Sequence, residues 1–489
     1  MDSAPVYDRR MAEEKTYLEL SEGSSHKFYE VTIAGSQLTI RYGRIGDNGQ
    51  TSTSKLASPE KARAEGAKKV AEKLKKGYEH ATKGVREKRK VTRRSDMIAA
   101  AAAKRPKGKR VTQAPLLWKF DTGKSALGIF ISADRLWVGN EDGLVFALDR
   151  ELAVRDKFRL PDGVKCIVAD EGFIYAGCDD GNVYDLSGKV PRVAYTIAEN
   201  VDLYWLDIHD GLLAVSDALG NVTTVNHEDE SQWAKKSKGD KGWMVRCDEI
   251  GVYHGHSKGV TMYDTESGEA IWTRPTVGWI GFGWQEESVV FASTAEGKVH
   301  KFTKKGDVLT VYDCDAYLCS CAAAPDGKYV FAGDQYGNIY CFAEGGERLW
   351  KLDSGCGAAQ SMQYLDGKLY VVTHAGFLGC IDAGEEAIAA AKKGVVPDAT
   401  VLAAPKVEAS KIDVVDSTKD AGGGVIVECV EERGKLRVRV LSPGYQAGWY
   451  CQFPRALREK GARYVVDELR TSSRGGFYRA FGNIKKLVD

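Results

Sequence analysis

Gly139-Asn-Glu-Asp-Gly-Leu-Val-Phe-Ala-Leu-Asp149 joins two runs of alternating apolar residues across a tight turn, and the pattern returns six more times. The other copies are Gly177-CDDGNVYDLS, Ser216-DALGNVTTVN, His254-GHSKGVTMYD, Ala292-STAEGKVHKFT, Gly333-DQYGNIYCFA and Thr373-HAGFLGCID. Their turn glycines are Gly143, Gly181, Gly220, Gly259, Gly297, Gly337 and Gly376, spaced 38, 39, 39, 38, 40 and 39 residues apart. Glycine supplies the positive φ that a two-residue hairpin turn needs. Runs such as Arg135-LWVG, Lys368-LYVV and Asn338-IYCF alternate with the period of strands that bury one face. Each unit therefore reads as four strands, close to the length of one propeller blade. A blade cannot bury its face alone, so the spacing predicts seven blades stacked about an axis over residues 115–384.

Closure of that ring is also legible. Outer strands recur as Ala270-IWTR and Arg348-LWKL, but the seventh unit runs out into the Ala-rich Glu386-AIAAAKK. Leu116-LWKFDTG matches the outer-strand pattern ahead of the first unit. It is expected to pair into the last blade, removing two open sheet edges. The strand ends resemble pyrroloquinoline-quinone-like and WD-type propeller repeats. Quinone-dependent dehydrogenases of that superfamily carry an adjacent Cys–Cys pair, which this sequence lacks, so the resemblance is to the repeat and not to the chemistry.

The 489 residues are 43% hydrophobic and 28% charged, an ordinary globular composition that implies two to four domains. The net charge of +1 hides a strong asymmetry: +9 over residues 84–112, −15 over 113–384 and +6 over 421–489. Polyanions are therefore expected at the ends of the chain and not at its middle. No run of 18 apolar residues exists, so no membrane partner is expected. Met11 opens the first domain pattern, which makes residues 1–10 an expected dispensable leader. The 11 cysteines form no CxxC pair, and Cys319 and Cys321 stand one residue apart, so they read as reduced, packed thiols. The expected location is the cytoplasm (nucleoid-associated in a bacterium) or a nucleus. His254-Gly-His256 is the one close histidine pair, and without a third ligand it reads as a polar turn variant. No GxSxG, HExxH, Walker-type or GxGxxG context occurs. No catalytic residue, metal site or cofactor is expected.

Ahead of the repeats, Thr16-YLEL, His26-KFYEVTI and Gln37-LTIRYG read as an antiparallel meander. Ser58-PEKARAEGAKKVAEKLKKGYE reads as a helix with Ser as N-cap and Pro at its first position. Ala62, Ala67, Val70, Leu74 and Tyr78 mark its expected buried face. The order of strand, Gly43-Arg44, a Gly-x-x-Gly-Gln turn and a Lys-rich helix ending Lys76-Gly77-Tyr78 resembles the WGR domain, here over residues 12–83. Tyr42 stands where that family has its tryptophan.

The resemblance implies DNA binding, as in DNA-damage-responsive poly(ADP-ribose) polymerases, whose WGR domains contact DNA near broken ends. It implies a stacking role for Tyr42 beside Gly43, and phosphate contacts for Arg41, Arg44, Lys68, Lys69, Lys75 and Lys76. The alternative is a solvated helix face with Tyr42 closing a small core. A basic linker follows over 84–114, where Lys88, Arg89, Lys90, Arg93 and Arg94 would lengthen the DNA footprint or serve as an import signal. The plain alternative is a spacer.

A low-complexity linker spans 385–421, and a small basic α+β domain spans 422–489. It has strands at Val425-IVECV, Lys435-LRVRVL and Arg463-YVVDEL and a short helix at Pro454-RALREKG. Its Phe477, Tyr478 and Phe481, beside Arg479, Lys485 and Lys486, suit either a core or a single-strand stacking site. Tyr204, Trp205, Trp243, Trp279 and Trp284 fall near inner-strand starts of successive blades. They form an expected protein-docking patch, with wedging between blades as the alternative.

The whole reads as mainly β: a small α+β WGR-like domain, a seven-bladed β-propeller and a small α+β C-terminal domain. The function it points to is a non-enzymatic DNA-associated scaffold, with an unknown protein partner on the propeller. The alternatives are an adaptor whose WGR-like domain contacts protein, and a quinoprotein-like enzyme using the propeller funnel.

Overall fold

The computed structural model describes residues 14–22, 25–44, 49–80, 91–102, 112–198, 201–395, 400–402, 416–418 and 423–487. They fall into two compact units, residues 1–89 with 198–200, and residues 90–197 with 201–489. The expected leader, residues 1–10, lies outside the described residues.

In the first unit five antiparallel strands are ordered Gln50–Lys55, Gln37–Arg44, Ser25–Ala34, Glu14–Glu22 and Glu79–His80. The helix Pro59–Leu74 crosses the sheet, capped by Ser58, whose hydroxyl accepts the Lys61 amide at 3.3 Å. Its buried face differs from expectation. Ala62 and Gly66 face the sheet, while Ala67 and Leu74 are exposed. A Cβ on Gly66 would lie 2.9 Å from Ile33 Cδ1, so the missing side chain is what lets helix and sheet approach. Val70 and Tyr78 complete a core with Leu18, Tyr29, Val31 and Leu38.

In the second unit seven sheets follow one another, each built from four consecutive strands except the last. Their inner strands are Ala126–Ile131, Val164–Asp170, Leu203–His209, Met244–Cys247, Ile280–Gln285, Leu318–Ala323 and Ala359–Leu365. Each contacts the next, and the seventh contacts the first, so the ring is closed. The turn glycines have φ between 74° and 135°. At Gly143 a Cβ would lie 2.6 Å from the carbonyl oxygens of Leu160 and Asp162, so no side chain fits that turn. Leu116–Asp121 pairs antiparallel with Phe377–Asp382 and supplies the seventh blade's fourth strand, as its sequence predicts. One further strand, Thr400–Leu402, adds parallel to it. That strand comes from the low-complexity linker, whose composition carries no strand pattern.

The C-terminal domain is a small, strand-rich, barrel-like domain. A sixth strand, Asp416–Thr418, pairs parallel with Phe477–Leu487 outside a ring of five strands, Val425–Glu432, Lys435–Val440, Tyr450–Gln452, Arg463–Thr471 and Phe477–Leu487. They close in the order first, second, third, fifth, fourth, with the third and fifth parallel. The expected helix is a single 3-10 turn, Arg455–Leu457. Tyr478 is in the barrel core, while Phe477 stacks on His227 of the propeller, ring centroids 3.7 Å apart.

All 11 cysteines are unpaired, and all but Cys314 are buried. Burial pushes the Cys166, Cys319 and Cys321 thiols up to about 12, which keeps them protonated and poorly nucleophilic. Among the described residues no helix is long and apolar enough to cross a membrane.

Candidate nucleic-acid interface and the mouth of the propeller

On the N-terminal unit, Tyr42 lies in the strand next to the exposed edge strand Gln50–Lys55, and its side chain is 42% exposed. Its hydroxyl donates to Gln50 Oε1 at 2.9 Å, and its ring leans on Tyr29 with centroids 6.3 Å apart. Beside it two glycines meet across the neighbouring strands. A Cβ on Gly43 would lie 2.8 Å from Gly49 Cα, and one on Gly49 would lie 2.5 Å from Phe28 Cζ. Lys68, Lys75 and Lys76 are exposed on the helix, while Lys69 pairs loosely with Glu65 and Glu72 at 3.7 and 3.8 Å.

Arg41 has a different occupation from the one expected. Its guanidinium reaches Glu30 at 3.2 and 3.3 Å and lies 4.7 Å over the Phe28 ring. Glu30 is 6% exposed, and its bonds from Arg41 and Lys15 outweigh burial and hold its carboxyl below the usual range. Arg41 is thereby committed to a nearly buried carboxylate inside its own sheet. A residue that sequence reasoning missed, Lys73, lies 4.5 Å over Tyr29 and 5.2 Å over Tyr78, and burial lowers its pKa. The Arg44 side chain and residues Lys88, Arg89 and Lys90 lie outside the described residues.

The linker's other two arginines correct the reading of a footprint extended along DNA. Residues 91–93 and the helix Arg94–Ala102 belong to the propeller unit and enter the mouth of its channel. Arg94 is 1% exposed. Its Nη atoms donate to the carbonyls of Gly281 and Gln360, and its guanidinium lies 5.1 Å from Trp243 and 5.7 Å from Phe282. Its Nε has no hydrogen-bond partner. Arg93 pairs with Asp162 at 3.4 Å and Glu141 at 3.7 Å. Thr92 gives its amide and hydroxyl to Asp202 at 3.0 and 2.7 Å, and its carbonyl accepts from Lys165 at 2.9 Å. Lys165 in turn pairs with Asp179 at 3.2 Å, and burial raises the Asp179 pKa despite that cation. Ser95 bonds to Glu141, and Ile98 is buried with Cys319 and Ala358.

Every blade therefore contributes: Glu141, Lys165, Asp202, Trp243, Gly281, Cys319 and Gln360 come from blades one to seven in order. Charge complementarity drives the seating, because the linker is the most basic part of the chain and the propeller the most acidic.

The expected aromatic patch is not an exposed surface. Tyr204, Trp205 and Trp243 are 8%, 4% and 1% exposed, and Trp279 and Trp284 are half-buried. Tyr204 stacks on Trp243 at 3.8 Å, and Trp205 packs edge-on against Phe282 at 5.1 Å. The aromatics wedge between blades, and Trp243 doubles as the face over which Arg94 lies. His254 and His256 are fully buried with ring centroids 5.7 Å apart, and no group of three metal-ligating side chains occurs among the described residues.

The C-terminal barrel is seated on blades two and three. Arg479, fully buried, pairs with Asp170 at 2.8 Å and Glu171 at 3.1 Å and donates to the Tyr175 hydroxyl at 2.9 Å. Lys435 reaches Glu230 at 2.8 Å and Arg437 reaches Glu228 at 3.0 Å. Arg470 lies 3.3 Å over Phe481, which packs on Phe173 at 5.1 Å. The aromatics and arginines weighed as a strand-stacking site are largely spent on this seat and on the barrel core.

Residues 14–85 match the family model of the WGR domain. Residues 256–427, from the fourth blade to the barrel's first strand, match the model described as outer membrane protein assembly factor BamB. Among solved structures the chain is similar to the WD40 β-propeller domain of Doa1, at 12% identity and TM-score 0.49 over 56% of this chain and 99% of that one. It is also similar to the computationally designed Ika8 protein, at 11% identity and TM-score 0.46 over 55% and 99%. No curated protein matches the chain.

Proposed function

We propose that the protein is a non-enzymatic DNA-associated scaffold, in which the WGR-like domain binds DNA and the propeller recruits a protein partner. The match of residues 14–85 to the WGR domain carries this reading. The half-exposed Tyr42, with Lys68, Lys75 and Lys76 on the helix of the same domain, supports it. An exposed aromatic with basic residues is the chemistry that grips a phosphate backbone and stacks on a terminal nucleotide. A WGR-like domain joined to a propeller is an architecture of the nucleic-acid-binding and protein-interaction class.

The full chain is expected to bind duplex DNA with a steep salt dependence, and to bind open-ended duplexes more tightly than duplexes closed by hairpins at both ends. Fluorescence anisotropy from 50 to 200 mM salt measures both. No binding at low salt removes the DNA reading. Equal affinity for open and capped duplexes retains DNA binding and removes end recognition.

A further inference from the structure

We propose that the mouth of the propeller channel is a binding site for short arginine-bearing peptides, occupied in cis by this chain's own residues 92–98. This deepens the reading of the propeller as the protein-recruiting part and rests on it.

The site is built around a cation. Arg94 is taken out of water into a seat made of two carbonyl oxygens and the rings of Trp243 and Phe282, with no carboxylate against it among its hydrogen-bond partners. Carboxylates stand one step outward, where Asp202 holds Thr92 and Asp162 and Glu141 hold Arg93. An acidic rim that attracts a basic segment, around a neutral aromatic seat that sorts for a planar guanidinium, is the layout of a recognition site.

A permanent plug would be served better by an apolar side chain. A buried charge stabilises no more than a hydrophobic group of similar volume, and here one donor, Arg94 Nε, is left without a partner. The segment also touches all seven blades, so it lies on the axis and not in a seam between two of them. A tethered occupant acts at an effective concentration of about millimolar. A free peptide therefore competes poorly until the cis segment is weakened or withdrawn.

The probe is a fluorescein-labelled peptide of this chain's residues 89–100, titrated into the full-length protein. It is expected to bind an Arg94→Ser chain at least tenfold more tightly than the wild type. A peptide with alanine at the position of Arg94 is expected to bind that variant at least tenfold more weakly. In the wild-type protein, a large excess of the peptide is expected to speed amide hydrogen exchange across residues 91–98. The exchange arm needs no substitution, so it decides the matter if Arg94→Ser fails to fold. A folded Arg94→Ser chain that ignores the peptide, unchanged exchange in the wild type, or equal binding of the alanine peptide would each overturn the proposal. DNA affinity is read in a separate assay, so this site can fail while the DNA reading stands.

Discussion

If the protein recognises DNA ends as proposed, Tyr42 is the residue that recognition would turn on, because it offers a half-exposed ring where the family resemblance places a tryptophan. Stacking of a base on an aromatic ring contributes about 1–3 kcal/mol. Tyr42→Ala is therefore expected to weaken binding to open-ended duplexes by roughly 5- to 160-fold, and Tyr42→Trp to match or exceed the native affinity. A Tyr42→Ala chain that binds as well as the wild type assigns the ring to packing against Tyr29 instead. His254 offers a prediction about pH. Burial, with smaller effects from His256 and Lys236, pushes its imidazole down to about 3, and burial pushes His256 down to about 4. The unfolded chain takes up these protons near pH 6.5, before the folded one does, so stability is full above that pH and falls as the pH drops towards 3–4. At pH 5 each histidine removes about 2 kcal/mol, at 1.36 kcal/mol per unit of separation. His254→Leu should shrink the difference in urea stability between pH 7.5 and pH 5 by about that amount, and an unchanged difference rejects the assignment. The turn glycines were readable from sequence because a positive φ leaves a residue-level mark at a fixed spacing. Arg94 left no such mark: one arginine in a basic run looks like the next, and its seat is assembled from residues up to 266 positions away.

Arg479 shows the same physics at the scale of an element, where one strand of the barrel is fastened to one blade of the propeller. Its partner Asp170 is 5% exposed and also accepts the amides of Asp210 and Gly211 at 2.8 and 2.9 Å. Removing one member of a buried pair leaves the other uncompensated, at about 3–5 kcal/mol. Arg479→Ala is expected to loosen the barrel from the propeller, seen as faster amide hydrogen exchange across Phe477–Leu487 and a lower urea midpoint. Arg479→Ala with Asp170→Asn should recover part of that midpoint, and no recovery would assign the loss to packing alone. The sheet elements were legible because alternation and turn chemistry are local. Three features were not. Gly66 carries no side chain to mark an apolar face, yet it is buried where the helix meets the sheet. Residues 454–460 have the helix formers for a turn and a half, but the chain must return to the barrel after a single 3-10 turn. Thr400–Leu402 becomes a strand only because Leu116–Asp121 presents it with an edge.

At the scale of the whole molecule, charge is distributed so that the acidic propeller consumes much of the basic charge its flanks supply. Arg93 and Arg94 are spent at the channel mouth, and Lys435, Arg437 and Arg479 on the barrel seat. A net charge of +9 over residues 84–112 therefore overstates what that stretch offers to a polyanion. On the proposed DNA reading, the salt dependence of binding exposes the difference, because each phosphate contact contributes about 0.9 to the slope of log affinity against log salt. Neutralising Lys68, Lys75 and Lys76 together to glutamine is expected to lower that slope by about 2–3. Arg93→Gln, or Lys435→Gln with Arg437→Gln, is expected to leave it unchanged, because those cations already face carboxylates in the free protein. If the Arg93 variant lowers the slope as much as a helix lysine does, the linker leaves the channel when DNA binds, and the propeller site is emptied by the same event that engages the N-terminal domain. The salt titration thus reads how many cations reach DNA and, through Arg93, whether the two halves of the chain act independently.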